Sequence, residues 1–243
     1  MREIKNKRIF FRSKIFAVAL IMIAVSFTAI STNAGNESTE TMRYIFSFKE
    51  PTLNEATLID ETYTKVSMPG TISTGMEIGE PTVQVKPAKI LIPQGKQVTK
   101  ITASYKNKIE IDTRAQRIDL QKKPVEPYQK PLRIGKDTID EVEFNNEFYR
   151  TNMKYPNVLF ESNGVGYSRG YAILSFSLYP VQYNPSEGKI YYFSDMIVNI
   201  ELKDTNEINQ FYRGNPEDQK WVEKLVSNPE TTETYSNTKL GEN

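Results

Sequence analysis

The sequence predicts a mainly β protein. The expected architecture is an antiparallel β-sandwich or barrel-like domain, with an N-terminal signal peptide and a short C-terminal helix. Three observations carry this reading. First, two stretches alternate with period two. In Tyr171 to Leu178, residues Ala172, Leu174, Phe176 and Leu178 face one way and Ser175 and Ser177 the other. Met196, Val198, Ile200 and Leu202 form a second stripe, opposed by Asn199, Glu201 and Lys203. Second, turn residues punctuate the chain at Pro69-Gly70, Pro93-Gln94-Gly95 and Asn184-Pro185-Ser186-Glu187-Gly188. Third, no βαβ alternation and no internal repeat interrupts the run of short strands.

The chain begins with a basic segment (Arg2, Lys5, Lys7, Arg8, Arg12 and Lys14, with Glu3), then an apolar run from Ile15 to Ile30. Thr32 and Ala34 are small residues placed for signal-peptide cleavage, so the cut is expected between Ala34 and Gly35. An uncleaved anchor is the alternative, and the run is short for a spanning helix of ~20 residues. Either way the remainder is expected outside the cytoplasm, secreted or at the cell surface. Asn36-Glu37-Ser38 is a glycosylation sequon beside the cut.

Further along, strands are expected at Arg43 to Phe48, Thr62 to Met68, Ala88 to Ile92, Val98 to Tyr105 and Ile109 to Asp112. Residues 71–86 read as a loop leading into an extended segment. Residues 121–135 break the pattern. Pro124, Pro127 and Pro131 and the absence of alternation mark an extended, exposed linker. Ser162 to Leu202 reads as three strands and holds the best-defined core. Asn215-Pro216 starts a helix over 216–226, with Trp221, Val222, Leu225 and Val226 at helical spacing. Beyond Glu230 the tail is polar and is expected to be disordered. The expected division is a signal peptide over 1–34, a linker over 35–42, a β-domain over 43–204 and a polar tail over 205–243.

Composition narrows function. The 243 residues include no cysteine and no histidine. That removes disulfides, thiolate nucleophiles, Ser-His-Asp and Cys-His catalysis, and the commonest zinc ligands. The formal net charge is +1, and removal of the basic leader tips the mature chain to the acidic side. Nucleic-acid binding, which needs clustered positive charge, is not expected. No cofactor is expected either.

Four sets of residues invite a chemical reading. Asp137, Asp140, Glu141 and Glu143 lack calcium-loop spacing and read as a solvated acidic patch. Gly164, Gly166 and Gly170 precede a strand rather than open a helix, so they read as turn or bulge positions and not as a phosphate loop. Tyr167, Tyr171, Tyr179, Tyr183, Tyr191 and Tyr192 fit either cross-strand packing or a sugar-binding platform, with packing the simpler account. Lys122, Lys123, Lys130 and Arg133, in the proline segment, fit either ordinary solubility or a segment that a protease holds. The residues alone therefore reach a secreted, mainly β, non-catalytic domain: a binding module, a pro-region or a surface structural protein.

Two stretches carry a resemblance. Gly79-Glu80-Pro81-Thr82-Val83-Gln84-Val85-Lys86, followed by Ile90-Leu91-Ile92-Pro93-Gln94-Gly95, resembles the early pro-region of gingipain-type cysteine peptidases. Gly166-Tyr167-Ser168-Arg169-Gly170-Tyr171, followed by Leu178-Tyr179-Pro180-Val181-Gln182-Tyr183-Asn184-Pro185, resembles its later hallmark. The likeness runs from about Arg43 to Lys203. It implies a β-rich pro-domain that helps a peptidase fold and covers its active site. The catalytic Cys and His would belong to a following caspase-like domain. This chain is expected to stop near the start of that domain and to be non-catalytic. It would be the product of a truncated or split gene, or a free-standing pro-domain acting on a separately encoded caspase-like cysteine peptidase. If the target prefers basic residues, Lys122, Lys123, Lys130 and Arg133 are the expected contacts. A surface adhesion or carbohydrate-binding sandwich is the alternative, and a carboxylate enzyme a third reading.

Overall fold

The structure, a computed structural model, describes residues 24–28, 39–130, 141–206 and 211–236. Its strands in chain order are β1 (Ala24–Thr28), β2 (Glu40–Ser47), β3 (Thr52–Leu58), β4 (Glu61–Ser67), β5 (Ile72–Thr74), β6 (Val83–Leu91), β7 (Lys96–Tyr105), β8 (Lys108–Glu110), β9 (Phe160–Ser168), β10 (Tyr171–Leu178), β11 (Val181–Asn184), β12 (Lys189–Phe193) and β13 (Asp195–Asp204). Helix α1 (Pro216–Glu223) follows. All strand pairs are antiparallel.

Two four-stranded sheets, ordered β1-β2-β13-β7 and β5-β6-β10-β9, face each other. Their inner faces are the alternating stripes. Met42, Tyr44 and Phe46 of β2 and Met196, Val198, Ile200 and Leu202 of β13 pack on Ala88 and Ile90 of β6 and on Leu174, Phe176 and Leu178 of β10. Phe46 and Phe176 meet edge to face with ring centroids 6.0 Å apart. Each such fully buried side chain contributes about 1.5–3 kcal/mol, and this layer is the largest of the apolar clusters. A second apolar cluster joins the β3–β4 hairpin to the small sheet β11-β12-β8, through Leu53, Val66, Val125, Val181, Tyr183 and Ile190.

The sandwich reading holds, with differences in detail. The strand expected at Arg43 to Phe48 is β2, and Pro51 separates it from β3, an additional strand that pairs only with β4. Strand β6 begins at Val83, within the expected loop, and contains Pro87. Strand β5 pairs only with Val83 to Val85, so Pro87 lies past its end and no neighbour there needs the missing N–H. Ser162 to Leu202 holds β9 and β11 beyond the three expected strands. β9 is an edge strand, exposed almost throughout and carrying Gly164 and Gly166, so no apolar stripe marks it. The expected cut at Ala34–Gly35 lies outside the described residues. Within the apolar run before it, Ala24–Thr28 lies along the outer edge of β2.

Residues 230–236, the described part of the tail expected to be disordered, continue into regular structure. Helix α1 and a 3-10 helix at Pro229–Thr234 cover the outer face of the second sheet, with Val222 and Val226 on Leu91, Tyr171 and Ile173. Asn215 caps α1 by accepting the Glu217 N–H at 2.9 Å, and Pro216 opens it. Asn228 is fully buried. Its carboxamide accepts from the Leu91 N–H and donates to the Leu91 carbonyl, both at 2.8 Å, replacing a missing strand partner. Trp221, expected on the apolar face, is instead 41% exposed, with the Arg169 guanidinium 4.8 Å above its ring.

Candidate functional site

In the described part of the proline segment, residues 124–129 are extended, as the composition requires, and lie against the body of the protein rather than exposed. Val125 is 1% exposed and Pro127 is also buried. β4 pairs with β3 on one side, and its other side receives this segment. The Thr64 N–H donates to the Pro124 carbonyl at 2.8 Å, and the Glu126 N–H to the Thr64 carbonyl at 2.9 Å. On the opposite side the Thr82 N–H donates to the Glu126 carbonyl at 2.9 Å, and the Tyr128 N–H to the Glu80 carbonyl at 2.7 Å. Donors are needed at Glu126 and Tyr128, so the prolines occupy positions that lack nothing by having no N–H. Burial holds the Glu126 carboxyl above the usual carboxylate range, against the opposing pull of Lys65.

A second limb returns beside the first. Phe144 stacks on Tyr149 at 4.2 Å, and the Tyr149 hydroxyl donates to the Val125 carbonyl at 2.7 Å. Burial pushes that hydroxyl well above the ordinary tyrosine range. The limbs meet at a neck. The Gln129 carboxamide donates from Nε2 to the Glu143 carbonyl and accepts the Glu143 N–H on Oε1, each at 2.9 Å. Gly79 joins them: its N–H donates to the Tyr128 carbonyl at 2.8 Å and its carbonyl accepts the Asn145 N–H at 2.9 Å. Gly79 has φ +83°, and a Cβ there would lie 3.1 Å from the Asn145 nitrogen. The chain thus leaves at Lys130 and is back at Glu143 through one closed point.

The four basic candidates separate. Lys122 is a surface side chain, 82% exposed, 3.4 Å from Asp119. Lys123 is paired with Glu55, and its carbonyl accepts the Thr64 hydroxyl at 2.6 Å. Lys130 is exposed at the neck. Arg133 lies outside the described residues, as do Asp137 and Asp140. Glu141 and Glu143 are exposed, and among the described residues no group of three or more Asp, Glu, His or Cys could hold a metal.

Four of the six candidate tyrosines lie in the interior, and Tyr191 is half-buried. Tyr171, Tyr179, Tyr183 and Tyr192 are buried, and Tyr167 is 63% exposed. Burial pushes the hydroxyls of Tyr179 and Tyr183 up to about 12. Gly170 completes the Arg169-Gly170 turn between β9 and β10 with φ +87°, and a Cβ there would lie 2.3 Å from the Tyr212 Cα. At the same turn, Asp218 is buried and accepts from Arg169 Nη1 at 2.6 Å and from Arg213 Nη2. These two guanidiniums hold its carboxyl below the usual range. Nothing in these groups pairs a nucleophile with a base. What the arrangement offers is a fixed platform from which the segment beyond Lys130 departs.

Comparison with known proteins bears on what such a platform is. The family model Propeptide_C25 matches residues 31–215. The chain belongs to this propeptide family. Its match spans both facing sheets from β2 onward, the proline segment and the neck, and ends one residue before α1. Similar folds occur in a structure of gingipain K from Porphyromonas gingivalis, concerned with its zymogenic latency. That structure is 17% identical, with a TM-score of 0.58, and the match covers 75% of this chain and all of that one. A complex of the RgpB pro- and mature domains from the same organism is 11% identical, with a TM-score of 0.59, covering 85% of this chain and 97% of that one. Among curated proteins nothing matches.

Sequence reading missed the neck and the Asn228 contact. Neither depends on a repeating pattern. The sequence trace of the buried outgoing limb is Val125, a single β-branched residue flanked by prolines, which fits its one-residue bridge to Thr64.

Proposed function

We propose that this chain is an extracytoplasmic pro-domain that assists the folding of a gingipain-type, caspase-like cysteine peptidase and sterically inhibits it. The observation that carries the reading is the propeptide-family match across the whole sandwich and the platform within it. Catalysis belongs to the partner. The peptidase is encoded separately or belongs to a longer form of this chain. The inhibitory contact is the basic segment around Lys122, Lys123, Lys130 and Arg133, laid across a cleft that takes basic residues. Lys123 is engaged with Glu55 and Lys122 lies beside Asp119, so Lys130 and Arg133 are the leading contacts.

The test mixes the purified chain with the catalytic domains of gingipain K and RgpB and follows peptide hydrolysis. Inhibition that weakens on replacing Lys130 and Arg133 by alanine supports the reading. Absence of binding and inhibition at micromolar concentration, with no gain in refolding yield of the peptidase, overturns it.

A further inference from the structure

We propose that Gln129 is a positioning residue whose clamp keeps both limbs of the neck in place even when the chain between them is cut. The reading rests on the proposed inhibitory role for its consequence, though not for its geometry. An inhibitor that offers basic residues to a peptidase is also offered for cleavage. In a simple loop a cut frees two ends. Here each limb has its own attachments to the body. The outgoing limb is fixed by buried Val125 and by the pairing of Glu126 and Tyr128 with Thr64, Glu80 and Thr82. The returning limb is fixed by the Asn145 N–H on the Gly79 carbonyl and by Phe144 on Tyr149. Between the two, Gln129 is the side chain that bonds both backbone groups of Glu143. A third bond, from Gln129 Nε2 to the Pro127 carbonyl at 3.2 Å, orients the carboxamide from its own limb. None of these contacts runs through residues 131–140, so cutting there removes none of them.

The halves on either side share sheets, β2 with β13 and β6 with β10, so a cut chain stays one body with or without the clamp. What the clamp decides is whether the cut ends remain where they were. The consequence is that a nicked domain keeps its inhibitory geometry, and nicking alone does not release the peptidase.

The test introduces a site for a specific protease at positions 133–136 of the full chain. Hydrogen exchange of the Glu143 and Asn145 amides is then followed in intact and cut protein, for the native sequence and for Gln129→Ala and Gln129→Glu. In the native background, cutting should change these rates by less than about threefold. In cut Gln129→Ala they should rise by roughly tenfold to thirtyfold, the value of one to two hydrogen bonds. Gln129→Glu keeps an acceptor for the Glu143 N–H and should fall between. Uncut Gln129→Ala should keep its thermal midpoint, which separates positioning from a general loss of stability. Equal exchange in cut native and cut Gln129→Ala proteins overturns the clamp. Loss of protection at both amides on cutting the native sequence also overturns it. Peptidase inhibition by the cut chain tests the consequence separately. If the intact chain inhibits nothing, the inhibitory reading falls, while the exchange result still decides the clamp.

Discussion

In the sandwich, Phe46 and Phe176 meet within a layer of apolar side chains supplied by four strands. In the proline segment, Val125 enters the second cluster alone, and the chain around it is held by backbone bonds to Thr64, Glu80 and Thr82. Both regions are buried and both are extended. They differ in what makes them cohere. The first depends on area, and losing one member leaves a cavity in a shared core. The second depends on pairing, and losing one member unmakes a specific bond while its neighbours stay. The molecule combines both modes: a core that does not yield, and beside it a segment whose position is set bond by bond.

The largest effect that breaks this contrast is expected in the core. Phe176→Ala should cost about 3–5 kcal/mol, read as a lowered midpoint in urea unfolding with little change of slope. A cost near that of a surface site would show that the two sheets do not share one core. Next comes the C-terminal segment. Asn228→Ala leaves both backbone groups of Leu91 buried and unpaired, at a cost of about 2–4 kcal/mol, measurable in the same way. Acid should loosen this same segment. The Asp218 carboxyl is held below its ordinary value by Arg169 and Arg213, so its contribution is complete above the unfolded carboxylate value. It is lost as the pH falls through the folded one. The single tryptophan, Trp221, lies under Arg169, and its fluorescence should report that loss before the sandwich unfolds. A fluorescence change that tracks only global unfolding would remove Asp218 from this role.

The same contrast explains what could be read without the structure. β10 and β13 were legible because their side chains repeat every second residue and one face is buried. β9 was not, since an exposed edge strand with two glycines has no face to reveal. The proline segment misled because proline and lysine are the usual signs of exposed chain. Its burial comes from pairing with β4 and residues 79–82, which no local composition announces. The C-terminal segment misled for a related reason. Thr231 and Thr232 read as polar tail, yet both are buried beside Asn228, whose amide stands in for a strand. The helix before it was legible because Asn215-Pro216 is a local signal.

Two smaller effects sharpen the comparison inside the proline segment. Tyr149→Phe removes the bond to the Val125 carbonyl but keeps the ring on Phe144, and should cost about 1 kcal/mol. A larger loss would mean that the hydroxyl, rather than the ring, organises the returning limb. The smallest change is expected at the two adjacent lysines, and there the useful quantity is the difference between them. Lys123 pairs with Glu55 across to the β3–β4 hairpin, while Lys122 sits beside Asp119 in its own turn, 82% exposed. Exposed pairs of this kind contribute roughly 0–1 kcal/mol, so both alanine variants should unfold near the native midpoint, with Lys123→Ala the lower. Inhibition should separate them the other way. If the partner's cleft reaches this far down the segment, Lys122 is the more available cation and its loss should weaken inhibition more. If only Lys130 and Arg133 enter, neither variant should change inhibition while Lys123→Ala still unfolds first. Equal unfolding together with a loss of inhibition confined to Lys123→Ala would mean that the Glu55 pair opens when the partner binds.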